Sequence, residues 1–208
     1  MSLLGVTPGG WVESALGELA DIRSGPSGAA ISAEDRRPDG HPMIAPKDLA
    51  DGRVRSNDVY RIHPDVAAGL SRYLVSPGDV LVTRAGTVGR AAWIPQECDG
   101  WLYSTGLVRV RPQGVAARYL AYYLALPEVQ DWLKRHARGT AVPSISAAAL
   151  GELPVLIPPP ERQADIVHHL GLLDEQAEVH AEISRVAART RDGLAWSLLR
   201  GEKLQLPR

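Results

Sequence analysis

The stretch beginning at Pro158 most constrains what this chain can fold into. Three consecutive prolines, Pro158, Pro159 and Pro160, are followed by forty residues, Glu161 to Arg200, that contain no proline and are rich in Leu, Ala, Glu and Arg. Such a run predicts one continuous helix. At about 1.5 Å per residue it would reach roughly 60 Å, well beyond an ordinary globular helix. The chain therefore divides into residues 1–160 as a globular unit, 161–200 as a long helix and 201–208 as a tail.

Stepping through the helix at alternating intervals of four and three from Ile166 meets Leu170, Leu173, Ala177, His180, Ser184, Ala187, Arg191, Leu194 and Leu198. Most of these are apolar. The polar members, and Ile183 and Val186 off the stripe, describe an imperfect coiled coil with a stutter. Charge adds direction. Residues 161–182 hold six acids against one base, and residues 183–208 hold six bases against two acids. An acidic start and a basic end suit the dipole of a lone helix. They would equally suit a second copy laid antiparallel, with Ile166, Leu170, Leu173, Ala177, Ala187, Leu194 and Leu198 as the seam. Packing back onto the chain's own domain is the alternative.

Length and composition bound the rest. The 208 residues suit one domain with an appendage, and a 45% hydrophobic, 23% charged composition is that of a folded chain. Phe is absent, so the core must come from Leu, Val, Ile and Ala with a few Trp and Tyr. No apolar run is long enough for a membrane span, and the first residues, MSLLGVTPGG, lack the pattern of a secretory signal, which leads us to expect a cytoplasmic protein. The 23 basic and 24 acidic residues nearly cancel, so any nucleic-acid binding must come from local arrangement.

From Trp11 to Pro160, short apolar runs alternate with Gly, Pro and Asp, as in a mixed α/β (α+β) domain. Val80–Thr83, entered through Pro77-Gly78-Asp79, and Leu107–Val110 are clear strands; Ala91–Ile94 and Leu153–Ile157 are weaker ones. Tyr119, Tyr122, Tyr123 and Leu126, then Val129, Trp132, Leu133 and His136, predict two short helices broken at Pro127. Residues 24–72 read as loop-rich.

Several chemistries have no residues to carry them. A single cysteine, Cys98, precludes a disulfide framework or a CxxC zinc site, and reads as a small buried residue. Nucleases of the PD-(D/E)xK kind need an acid two residues before a lysine, but Ala45, Trp132 and Gly201 stand before Lys47, Lys134 and Lys203. A methyltransferase NPPY motif, GxxxxGK[ST] and GxSxG are all missing. The adjacent His168 and His169 point about 100° apart on a helix, which makes joint metal ligation awkward. We expect no catalytic residues, no metal and no cofactor bound by this chain.

What remains is two loops. SPGDVLVTRAGTVGR, residues 76–90, reads as a turn, a buried strand and a glycine-bearing loop with Arg84, Thr87 and Arg90. RHARGTAVPSIS, residues 135–146, is a basic helix end running into a Gly/Thr/Ser loop with Arg138, Thr140, Ser144 and Ser146. Small residues permit close backbone approach, and Arg and Thr donors suit phosphates or guanine edges. Each could equally be an ordinary connecting loop.

With these loops in view, the chain resembles the DNA specificity (S) subunits of type I restriction-modification systems. The resemblance runs from WVESALGELADIRSG (11–25) through PGDVLVTRAGTVGRAAWIP and YSTGLVRVRP (103–112). It continues through YLAYYLALPEVQDWLKRHARGTAVPSIS to LGELPVLIPPPERQADIVHHLGLLDEQ (150–176). It implies a target recognition domain followed by a spacer helix. Arg84, Thr87 and Arg90 fall on the family's R-x-G-T-[IV]-G-[KR] loop, and Gly139, Thr140, Ser144 and Ser146 on its glycine/polar loop. Lys47, Arg53 and Arg55 lie in the family's hypervariable region, and the resemblance offers them as candidates for base contacts.

The resemblance further implies a non-catalytic subunit that binds double-stranded DNA and directs a partner N6-adenine methyltransferase to a bipartite target. S-adenosylmethionine would sit on that modification subunit, and a restriction subunit is an optional further partner. Family members usually carry two recognition domains and two spacers, whereas one of each stands here. A homodimer would restore the arrangement and would read an inverted repeat. Two other readings stay open: a recognition module of another phage-defence methyltransferase, and a coiled-coil adaptor that binds only proteins.

Overall fold

The computed structural model describes residues 3, 5–55, 58–139 and 141–201, with Ala29 as backbone only. In chain order its elements are β1 (Val12–Ala15), α1 (Leu16–Leu19), β2 (Ala20–Ser24), β3 (Arg36–Ile44), β4 (Leu49–Ala50), β5 (Arg53–Val54), β6 (Tyr60–Ile62) and α2 (Pro64–Ala68). There follow β7 (Val80–Thr83), β8 (Ala91–Trp93), β9 (Leu102–Tyr103), β10 (Leu107–Pro112), α3 (Ala117–Ala125), α4 (Pro127–His136), α5 (Ala147–Gly151), β11 (Pro154–Ile157) and α6 (Pro160–Leu199). This is a mixed α/β chain with a long C-terminal helix, as its composition and periodicity predict.

The central sheet has the order β2-β10-β7-β8, antiparallel throughout. A second sheet, β6-β3-β9, combines an antiparallel pair with a parallel one, Met43 opposite Leu102 and Ile44 opposite Tyr103. The first strand pairs with the last, Val12 opposite Ile157, which closes residues 12–157 on themselves. Residues 24–72 hold more structure than a loop-rich reading allows, because β3 conceals itself. Its sequence, RRPDGHPMI, carries two prolines and no alternation, and its register against β6 shifts between Arg36 and His41, so only Met43 and Ile44 supply an apolar signal.

Ile44, Leu49, Val75, Leu81, Ala92, Ile94, Cys98, Tyr103 and Leu107 form one buried cluster; Met43, Ile62, Ala67, Leu70 and Leu102 form another. With no Phe available, buried tyrosines fill the aromatic positions, and each hydroxyl needs a partner. Tyr103 donates to the Arg23 carbonyl (3.3 Å), Tyr119 to Leu156 (2.5 Å) and Tyr123 to Pro154 (2.9 Å). Two arginines of β10 meet acids: Arg109 bonds Asp21, and Arg111 forks onto buried Asp79 at 2.6 and 2.8 Å. Asp79 also accepts from Ser76 N at 2.8 Å, so one carboxylate holds the Pro-Gly-Asp turn and anchors Arg111.

The chain forms two compact units, Met1–Ala164 and Asp165–Arg208. The first takes in the opening turn of α6 because Gln163 is buried there. Its amide donates to the Pro158 carbonyl (3.0 Å) and accepts from Ala116 N (2.8 Å). The second unit is the remainder of α6 and the tail, whose residues 202–208 lie outside the described ones.

Candidate nucleic-acid interface

The loop between β7 and β8 is held by the last residue of β7. Thr83 Oγ1 donates to the Thr87 carbonyl and accepts from Arg90 N (2.9 Å), while the Thr83 carbonyl accepts from Gly89 N at 2.9 Å. Gly89 sits at φ +95°, and a Cβ there would come within 2.9 Å of Gln130 and Leu133 side chains on α4. Gln130 uses that closeness: its amide donates to the Gly89 carbonyl at 2.8 Å and to Leu124 at 2.6 Å. The loop is thereby pinned to α4, with Thr87 and Arg90 exposed and Arg84 half-buried.

The second loop lies directly against the first. Arg138 and Ser144 exchange backbone hydrogen bonds (2.7 and 2.8 Å), which draws these two residues of the loop together. Ile145 N donates to the Arg84 carbonyl (2.8 Å) and Gly86 N to the Pro143 carbonyl (3.2 Å). The two stretches singled out by sequence thus form one double loop. A third segment joins it where Arg84 N donates to the Gly106 carbonyl at 2.9 Å, and Gly106 is tight enough that a Cβ would meet Pro46 at 2.6 Å. Residues 84–90 and 138–146 contain no acid, and Arg84, Arg135 and Arg138 carry no ion pair among the described residues. The arginines of the double loop thus stand without an ion pair among the described residues, and the end of α4 adds Arg135, while its Lys134 is paired with Asp131 at 3.1 Å.

The remaining sequence-predicted residues differ in their engagements. Ser146 caps α5, accepting from Ala149 N at 3.0 Å, and Ser144 is half-buried. Thr140 lies outside the described residues. Arg90 reaches across to segment 46–49, donating to the Pro46 (3.4 Å) and Leu49 (3.2 Å) carbonyls; these neutral acceptors leave its charge in place. Lys47 is held inside its own segment by the Asp58 carbonyl (2.6 Å) and by ion pairs to Asp48 (3.5 Å) and Asp58 (3.4 Å). Desolvation lowers the Lys47 pKa, but Asp48 and Asp58 together outweigh it, so the ammonium titrates above the usual lysine value. Burial raises the Asp48 pKa, against a bond from Ala45 N (2.8 Å) and the charge of Lys47. Arg55 is exposed and pairs with Asp51 at 3.2 Å, and Arg53 lies on the short strand β5.

Sequence reasoning passed over one cluster. Arg36, Arg37, Pro38, Asp58, Val59, Tyr60 and Arg61 line an open groove at the β3/β6 edge, adjoining Lys47. The signal was present as one basic pair, Arg36-Arg37, and one aromatic-basic pair, Tyr60-Arg61, but only the pairing of β3 with β6 brings them together. Gln130 was also missed, since nothing in a lone glutamine announces its bond to Gly89.

On the second unit the apolar side chains face solvent both on and off the predicted seam. Leu170, Leu173, Leu194 and Leu198 are 36, 60, 41 and 51% exposed, Ala177 and Ala187 are exposed, and Ile166 is half-buried. Val179, Ile183, Val186 and Trp196 are exposed beside them. Glu182, at the change of charge, pairs with Arg185 and, at 3.5 Å, with Arg189. Among the described residues no helix is long and apolar enough to cross a membrane, and no group of three or more His, Cys, Asp or Glu is placed to hold a metal.

Comparison with known proteins places this geometry in context. Residues 8–187 match the family described as the type I restriction modification DNA specificity domain. The specificity subunit of the type I restriction enzyme EcoBI from Escherichia coli is 24% identical over 188 residues, covering 89% of this chain and 40% of the relative. A chain from a solved type I R-M system assembly is 24% identical with a TM-score of 0.64, covering 92% of this chain and 44% of that one. The HsdS subunit of Thermoanaerobacter tengcongensis (22%, TM-score 0.57) is covered over 40% of its length, and the S subunit of M. genitalium (17%, TM-score 0.64) over 47%. The present chain thus spans less than half the length of each of these relatives.

Proposed function

The chain belongs to the type I restriction modification DNA specificity domain family, and from that premise we propose that it is the sequence-reading component of a methyltransferase complex. The observation that carries the reading is the double loop, in which two glycine-bearing basic segments some fifty residues apart are bonded side by side and carry no acid. A backbone cradle of this kind holds Arg84, Thr87 and Arg138 in fixed register, which direct readout of base edges requires. Arg90, tied to neutral carbonyls, contributes charge toward phosphates.

In this reading the chain selects and a partner reacts. The modification subunit would carry S-adenosylmethionine and transfer its methyl group to the N6 of adenine, and a restriction subunit could join the same complex. The antiparallel pairing of two α6 helices belongs to the proposal too. It rests on the reversal of charge along the helix and on the apolar side chains that face solvent along it. Two copies so paired would read an inverted repeat with a fixed gap.

Methylome sequencing of a host expressing the chain with its methyltransferase, against a host lacking the chain, tests this. N6-methyladenine at an interrupted palindrome is the expected result. An asymmetric methylated motif would keep the specificity role and replace the homodimer with a second, different recognition domain. An unchanged methylome, with the methyltransferase shown to be active, would sink the reading and favour a protein-only adaptor.

A further inference from the structure

The groove at the β3/β6 edge carries three arginines, Arg36, Arg37 and Arg61, that neutral groups hold in place and that form no ion pair among the described residues. Arg36 lies over the Tyr60 ring, its guanidinium carbon 4.0 Å from the centroid, and the Lys47 ammonium lies 4.5 Å from the same centroid. Arg61 donates to the Gly40 carbonyl at 3.0 Å, and Arg37 to the Glu34 and Arg36 carbonyls, both at 2.8 Å. A carbonyl or an aromatic face orients a guanidinium without cancelling its charge. Of the acids at the groove, Asp58 lines it and pairs with Lys47, and Asp35, on which the Arg37 charge acts, is turned into a local cap, accepting from Ser32 N (2.6 Å) and Oγ (2.9 Å). Arg36, Arg37 and Arg61 all remain exposed.

The groove is also continuous with the double loop. From Arg90 the path runs through its bond to the Pro46 carbonyl, then Lys47, then the Tyr60 ring shared by Lys47 and Arg36. We propose that this groove is a phosphate track: Arg36, Arg37 and Arg61 bind the backbone of duplex DNA beyond the base pairs met by the double loop, adding affinity but no sequence preference. The proposal rests on the DNA-reading function argued above and extends it to a surface that sequence analysis did not assign. Oriented guanidinium forks on an open groove suit phosphate oxygens, whereas base readout would need side chains carried on a protruding element.

The test uses the full chain with its methyltransferase and a random-sequence duplex of about three helical turns, with binding followed by fluorescence anisotropy across a series of NaCl concentrations. Removing one cation from a phosphate lowers the slope of log affinity against log salt by about 1. The double variant R36A/R37A should therefore bind several-fold more weakly, with a slope shallower by about 2, while methylating the same motif as wild type. The variant R36K/R37K keeps the charge and should keep most of the slope. A slope unchanged in R36A/R37A overturns the track while leaving the specificity reading intact. A slope reduced equally in R36K/R37K, with a lowered melting temperature, makes the pair structural and also overturns it. If the wild-type complex binds neither this duplex nor any methylatable site, both the track and the specificity reading fall.

Discussion

At the scale of single residues, the two arginines of the β7–β8 loop differ in what their guanidinium groups are bonded to. Arg84 has its backbone locked at both ends while its guanidinium carries no ion pair among the described residues. Arg90 uses one nitrogen of its guanidinium to tie the loop to the Pro46 and Leu49 carbonyls. The two substitutions should therefore part company. Arg84→Ala should weaken specific DNA binding of the complex by roughly 1 to 3 kcal/mol for each base edge that the guanidinium reads, with the melting temperature unchanged. Arg90→Ala should lower both. Wild-type methylation by Arg84→Ala at limiting DNA would remove that residue from the interface.

Cys98 gives a second test at this scale. Burial pushes its thiol up to about 11, and the neighbouring Glu97 adds to the shift; burial likewise pushes Tyr103 up to about 12. In the unfolded chain these groups ionise near 9 and 10, so above pH 9 the unfolded state binds fewer protons than the folded one. The stability they contribute is complete below pH 9 and is lost as pH rises toward 11 to 12. Melting temperatures measured from about pH 8 to 11 should fall steadily, and Cys98→Ala should flatten the earlier part of that fall. Thiol reagents at about pH 8 should label Cys98 only after denaturation.

At the scale of elements, the hairpin β7–β8 and helix α4 act as a single device, coupled through Gly89 and Gln130. Gly89→Ala would place a Cβ against Gln130 and Leu133 at a backbone angle that L-residues seldom adopt. Its cost should be about 1 to 3 kcal/mol, visible in chemical denaturation. Full wild-type stability in that variant would show that the pinning of the loop to α4 is dispensable. The elements also mark where sequence is informative. β7 occupies the predicted Val80–Thr83, α3 and α4 meet at the Leu126-Pro127 break, and α6 begins at the last of the three prolines. Each follows from a periodicity or a proline that acts within a few residues. β3 escaped because its strand character comes from partners, β6 on one side and β9 on the other, and not from its own composition.

For the whole molecule, the question is how many copies act together. The solvent-facing Leu173 and Leu194 on the predicted seam give a direct experiment. Light scattering at micromolar concentration should return twice the chain mass of 22.4 kDa, and L173D/L194D should return the single mass. A single mass for wild type would remove the homodimer and leave the recognition role to be tested alone.

What the sequence determined by itself is local: the long helix with its reversal of charge, the principal strands and short helices, the family resemblance, and the two glycine-bearing loops that carry the arginines. Only the tertiary structure decided that those loops lie against each other, that Lys47 is claimed by Asp58 while Arg90 spans to segment 46–49, and that Arg36 and Arg61 share one groove beside Tyr60. The reason is physical. Helix propensity, capping and turn geometry depend on neighbours along the chain, whereas ion pairs, backbone bonds between loops and the exposure of a charge depend on which distant segments the packed core brings together.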